Sequence, residues 1–193
     1  MKVSRLLISV FVISSLAFYA CDDGNNPMSD SNTNPTNNNN DGDMNDDGSN
    51  NNGATLAPDF SLQNLNDETV TLSAYKGKVV VLFFFGNTCP SCIASAPSVQ
   101  SKLANAYSAN GNVIIVGIDQ WDGTKASVEG FKNSTGVDFP LLLKGSSVAS
   151  KFETTYDRLI VVDKEGYIRF KGSRGAGSDA DSAKSTVETY LNK

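Results

Sequence analysis

Residues 79–85, Val-Val-Val-Leu-Phe-Phe-Phe, are apolar on both faces, the mark of a central strand covered by helices on each side. Beyond them Ile93, Ala96, Val99, Leu103, Ala106 and Tyr107 recur at helical spacing. This predicts a helix over residues 90–107, with Pro90 in its first turn, where a missing N–H is harmless, and a kink at Pro97. A second buried strand is expected at 113–118, then a helix at about 124–133, an extended piece at 139–143 and a short helix at 147–152. Residues 159–162, a turn at 163–166 and residues 167–170 form a hairpin, and Ala180, Ala183, Val187, Tyr190 and Leu191 line one face of a terminal helix. Upstream, residues 57–62 and 69–72 alternate apolar with polar around Asn64-Leu65-Asn66-Asp67, a hairpin ahead of the main sheet. The sum is an α/β fold, a central mixed β-sheet flanked by helices with an N-terminal β-hairpin extension.

The first 53 of the 193 residues differ from the rest. Residues 1–20 carry Lys2 and Arg5 and then a short apolar stretch, the layout of a secretory signal peptide. Ala20 followed by Cys21 resembles the end of a bacterial lipoprotein signal, which implies a lipid anchor on Cys21 and a cell-envelope, extracytoplasmic location. An ordinary secretory signal with Cys21 incidental is the alternative. Residues 21–53 are Asn, Asp, Gly, Ser, Thr and Pro with almost nothing apolar, a composition that cannot bury enough surface to fold. The segment therefore reads as a disordered tether, roughly 30 Å end to end as a coil. Asp43, Asn45, Asp47 and Gly48 match the opening of a calcium loop, but its twelfth position would be Ala54 in place of a bidentate glutamate.

The net charge is −5. All of the imbalance lies before residue 54, so the domain at 54–193 is formally neutral, and no basic stripe invites nucleic acid.

The chemistry concentrates at Cys89-Pro90-Ser91-Cys92, between the central strand and the first helix. Unpaired backbone N–H groups and the helix dipole at that position favour a thiolate, the nucleophile of disulfide exchange. Cys92, one turn further in on the same side, is placed to attack a mixed disulfide. Other uses of the cysteines are weaker. The chain has no histidine, which removes Cys-His and Ser-His machinery and, with one remote third cysteine, leaves too few ligands for zinc. The domain has no methionine for copper delivery.

Ala57-Pro-Asp-Phe60, Lys76-Gly-Lys78, Cys89-Pro-Ser-Cys92 with Pro97 behind it, Val116-Gly-Ile118, Phe139-Pro140 and Val162-Asp163 with Gly166 together resemble the thioredoxin fold. They are most similar to its TlpA-like and redoxin (AhpC/TSA-related) branch of extracytoplasmic thiol-disulfide oxidoreductases. The resemblance implies a dithiol exposed at a helix N-terminus, Cys89 attacking and Cys92 resolving, with no metal or organic cofactor. Departures from the family pattern draw in further residues. Thr88 replaces a tryptophan and could help cap the helix, Phe83 replaces a buried carboxylate, and the position of the family's cis-proline falls at Asp157 or Arg158. With Thr88, Pro90 and Ser91, Asp157 and Arg158 are thus candidates for substrate binding or thiol tuning.

The expected activity is disulfide exchange with protein thiols or disulfides by a membrane-tethered monomer that works with a separate redox partner. Two alternatives stand beside it. One is a non-catalytic binding domain with a structural disulfide, although so small a loop is a poor staple. The other is a peroxiredoxin-like peroxidase, whose P-x-x-x-[TS]-x-x-C would need proline where Leu82 or Phe85 stands. Among the remaining candidates, Phe83, Phe84 and Phe85 are expected to pack on alternating sides of the sheet, with a place on the active surface as the alternative for Phe85, nearest the dithiol. Trp121 is expected in a turn, with substrate contact as the alternative, and Asp119 in a solvated turn.

Overall fold

The computed structural model describes residues 53–193. The expected signal peptide (1–20), Cys21 and the expected tether up to residue 52 lie outside the described residues. Among the described residues, seven strands and four α-helices follow in the order β1 (Ser61–Gln63), β2 (Thr69–Thr71), β3 (Val79–Phe85), α1 (Pro90–Val99), β4 (Val113–Asp119), α2 (Lys125–Thr135), β5 (Leu141–Leu142), α3 (Ser146–Lys151), β6 (Arg158–Val162), β7 (Ile168–Lys171) and α4 (Ala176–Leu191). No helix among the described residues is long and apolar enough to cross a membrane.

Five strands form the main sheet in the order β5-β4-β3-β6-β7, and β1 pairs with β2 in a separate antiparallel hairpin. β3 runs parallel to β4 and antiparallel to β6, so the sheet is mixed, as expected. Every residue of β3 is buried, as its unbroken apolar run requires. Its pleat divides the core. Val79, Val81, Phe83 and Phe85 pack with side chains of α1, α2 and α4, whereas Val80, Leu82 and Phe84 pack with α3 and the N-terminal extension. Phe85 stacks on Phe131 of α2 with centroids 4.3 Å apart, which makes it a core residue rather than part of the reactive surface.

The N-terminal extension shields both edges of the sheet. The Ile168 N–H donates to the Thr55 carbonyl at 2.8 Å on the β7 side, and the Leu143 N–H donates to the Gln63 carbonyl at 2.8 Å beside β5. Strand edges left bare would recruit other chains. Phe60 meanwhile tucks into the second core face at 5 % exposure.

Several element boundaries differ from expectation by a residue or two, and the first helix differs in kind. The first helix stops being α-helical at Val99 and continues as a wider turn over Gln100–Ala104, in which the Asn105 N–H donates to the Gln100 carbonyl at 2.8 Å. Tyr107 therefore lies in the following turn rather than on the helix, though it is still buried. Hydrophobic spacing alone does not distinguish a tight helix from its widened continuation. α2 starts at Lys125, with Thr124 Oγ1 accepting the Ser127 N–H at 3.2 Å as its cap.

Helices α1 and α4 pack on the face that carries the cysteines, with small buried side chains on α4 at Ala176, Ala180 and Ala183. Replacing Ala180 by Leu puts an isobutyl group where a methyl group is fully enclosed. A loss of about 1–3 kcal/mol is expected, read as a lower denaturant midpoint. An unchanged midpoint would refute this packing.

Candidate active site

The Cys89-Pro90-Ser91-Cys92 segment sits where β3 ends and α1 begins, beside the C-terminal end of β4, the usual location of sites in open α/β sheets. Cys89 is itself the N-cap of α1, with extended backbone (φ −70°, ψ 119°), and its Sγ accepts the Cys92 N–H at 3.2 Å. Thr88 does not cap the helix and is exposed. Pro90 takes the first helical position and loses no hydrogen bond there. The Ser91 hydroxyl lies 3.2 Å from Cys89 Sγ and shares a hydrogen bond with it. Cys92 Sγ accepts the Gly86 N–H at 3.5 Å, while the Cys89 N–H donates to the Gly86 carbonyl at 3.0 Å. Gly86 thus contacts both cysteines through its backbone.

The sulfurs are unbonded to each other, and both cysteines are buried. Cys92 is fully enclosed and Cys89 is 2 % exposed, so the expectation of an open dithiol is corrected. Because Cys89 caps the helix with its own sulfur, the side chain turns inward toward the Cys92 N–H, and Thr88, Pro90 and Ser91 occupy the surface around it. Burial, then the neighbouring Cys89 sulfur, pushes the Cys92 thiol up to about 12, with the negative charge of Asp157 adding in the same direction. The Gly86 N–H opposes them.

The two residues at the missing proline's position diverge. Asp157 is buried with φ +56°, its carboxylate accepts the Ala176 N–H at 3.3 Å, and its charge reaches Cys92. Its carbonyl also takes the N–H groups of Gly175 and Ala176, which ties this loop to the start of α4. Arg158 opens β6 in register with Phe84, and strand alternation sets it in line with Ile160 and Val162 on the opposite core face. The structure therefore brings Asp157 to the dithiol and directs Arg158 away from it.

Asp119 overturns its expected place in a solvated turn. It is fully buried at the end of β4, and its carboxylate accepts four N–H bonds: Asn87 N at 3.2 Å, Asn87 Nδ2 at 3.1 Å, Trp121 N at 3.3 Å and Gly123 N at 2.7 Å. One carboxylate thus fastens the loop before Cys89 to the loop after β4. A Cβ at Gly123 would fall 1.9 Å from Asn87 Nδ2, so a side chain there would push Asn87 off the Asp119 carboxylate. Nothing in the residue spacing announces the link, because Asn87 and Asp119 meet only when β3 and β4 pair.

The AhpC/TSA family model matches residues 54–171. The chain is 28% identical to the thioredoxin-like protein YneN of Bacillus subtilis over 114 residues, 58% of this chain and 66% of that protein. It is 32% identical to the thiol-disulfide oxidoreductase ResA of the same organism over 87 residues, 45% of this chain and 47% of that protein. The chain therefore spans less than two thirds of the length of these curated relatives. Among solved structures it resembles a candidate protein disulfide isomerase from Bacteroides thetaiotaomicron, with a TM-score of 0.67 and 28% identity over 72% of this chain and 90% of that one.

Two outcomes follow from this geometry. Asp119→Ala strands four donors and is expected to destabilise the fold by about 2–4 kcal/mol, measured by denaturant unfolding. For Cys92 the folded state holds its proton more tightly than the unfolded chain. The resulting stability is complete below about pH 9 and is lost as pH rises toward about 12. Reduced protein should therefore lose stability across that range more steeply than its Cys92→Ser variant, and parallel curves would contradict the assignment.

Proposed function

Because the chain belongs to the AhpC/TSA family, we propose that it is a thiol-disulfide oxidoreductase exchanging disulfides with protein substrates through Cys89 and Cys92. The observation that carries this function is the cap geometry. Cys89 sulfur stands at the first turn of α1 as acceptor of the Cys92 N–H, with the second sulfur buried one turn inward. Negative charge that develops on sulfur during exchange arises where backbone N–H groups and the helix dipole point.

The Cys89 thiolate attacks one sulfur of a substrate disulfide, forming a Cys89–substrate disulfide and expelling the other substrate sulfur as a thiolate, which takes up a proton. Cys92 then gives up its proton and attacks Cys89 sulfur, closing the Cys89–Cys92 bond and releasing the second substrate thiol. The substrate gains two electrons and the dithiol loses them; a partner dithiol restores the reduced pair, and the reverse sequence oxidises a substrate. The high Cys92 value keeps the resolving sulfur protonated until the mixed disulfide has formed. Thr88, Pro90 and Ser91 form the surface that the substrate meets, and Asp157 acts on Cys92 through its charge. The signal-like start of the chain, Cys21 and the polar tether support an extracytoplasmic domain held to a membrane by lipid.

Cys89→Ser is expected to reduce disulfide turnover by roughly a thousandfold or more, and Cys92→Ser to accumulate a covalent substrate adduct visible by mass spectrometry. Full turnover in Cys89→Ser would refute the function. A Cys89–Cys92 disulfide that dithiol reagents cannot open would favour a structural bond.

A further inference from the structure

Three side chains from three separate loops stack in a row beside the dithiol. Trp121, between β4 and α2, lies on Gly86 so closely that a Cβ there would be 2.5 Å from the indole. It therefore covers the residue whose backbone binds both cysteines. Tyr156, next to Asp157, meets the indole edge-on with centroids 5.2 Å apart. Arg174, between β7 and α4, sets its guanidinium 4.6 Å from the Tyr156 ring centroid.

The backbone on either side of the row is fixed. The Trp121 N–H is held by the Asp119 carboxylate, and Asp157 is bound to the start of α4. Even so, Trp121 is 43 % exposed, and only Leu56 joins it as an exposed large hydrophobic side chain among the described residues. Arg174 is exposed and makes no salt bridge among the described residues. An aromatic ring held in place yet open to water loses little entropy when it contacts a ligand. A stacked guanidinium adds a directed charge.

We infer that Trp121, Tyr156 and Arg174 form the recognition ridge for protein substrates, favouring cysteines with an apolar side chain two residues to one side and a carboxylate two residues to the other. The inference rests on the exchange function proposed above. A substrate sulfur bonded to Cys89 holds its own chain against α1, and an extended chain advances about 3.3 Å per residue. Side chains two positions to either side of the cysteine share the face of its sulfur and lie roughly 6–7 Å along the chain from it, so they face the ridge bordering Gly86. The indole takes the apolar one, and Arg174 pairs with the acidic one and repels a basic one.

The test uses the full chain and three synthetic heptapeptides, each supplied as its symmetric disulfide, with Phe-Gly-Cys-Gly-Glu, Phe-Gly-Cys-Gly-Lys or Ala-Gly-Cys-Gly-Glu at the centre. kcat/KM is measured above the dithiothreitol background. The unmodified protein is expected to prefer the peptide with Glu two residues after the cysteine to the one with Lys there by about fivefold, the order of an exposed ion pair. Arg174→Glu should invert that preference, and Trp121→Ala should abolish the advantage of Phe over Ala. The dithiol midpoint potential should not change in Arg174→Glu. Indifference to flanking residues, a preference that survives Arg174→Glu, or a shifted potential with selectivity intact would overturn the inference. Failure to reduce any peptide would overturn the exchange function itself, and the inference with it. Because Arg174 is exposed, its variant remains informative if Trp121→Ala fails to fold.

Discussion

A helix begins with backbone N–H groups that have no partner within the helix, and here the first acceptor they meet is a sulfur atom. That constraint organises the site. Oxygen caps are commoner and stronger, and α2 uses one at Thr124. In α1 the cap is the reactive atom itself, so the side chain turns toward the Cys92 N–H and is buried by the same contact that orients it. Each change in bonding at Cys89 sulfur also changes how α1 begins, which couples the dithiol chemistry to the first turn of the helix.

Burial separates the two sulfurs by degree rather than by kind. Cys92 is enclosed by the core and by Gly86, so its proton is held tightly. Cys89 lies just beneath exposed Thr88, Pro90 and Ser91, within a shared hydrogen bond of a surface hydroxyl. In the proposed exchange, Cys89 at 2 % exposure has to come outward while Cys92 stays inside. That order suits a nucleophile acting first and a resolving thiol acting second.

The fold and the dithiol were legible in the sequence because their signals are local. The unbroken apolar run of residues 79–85 specified a central strand, and Pro90 after Cys89 marked a helix start. What lay hidden depends on long-range pairing. Asp119 resembled a turn residue because it ends a strand beside Gln120, Asp122 and Gly123, and only the register of Phe85 with Asp119 brings its carboxylate under Asn87. The difference between Asp157 and Arg158 likewise arises from strand alternation, which no spacing argument could assign before the first residue of β6 was known. Cys89's burial escaped for a related reason, since helix periodicity locates a cap without fixing its rotamer.

Asp119 joins access to recognition. Its carboxylate accepts the N–H of Asn87, two residues before Cys89, and that of Trp121, whose ring lies on Gly86. A displacement that uncovers Cys89 by moving the loop before α1 must either strain these bonds or carry the Trp121 loop along. Buried charge-assisted bonds are the stronger kind and resist the first course. The second would lift the indole and the cysteine loop together, presenting the ring to a substrate at the moment the sulfur becomes reachable. The carboxylate touches neither sulfur, yet it fastens the loop before Cys89 to the loop that carries Trp121.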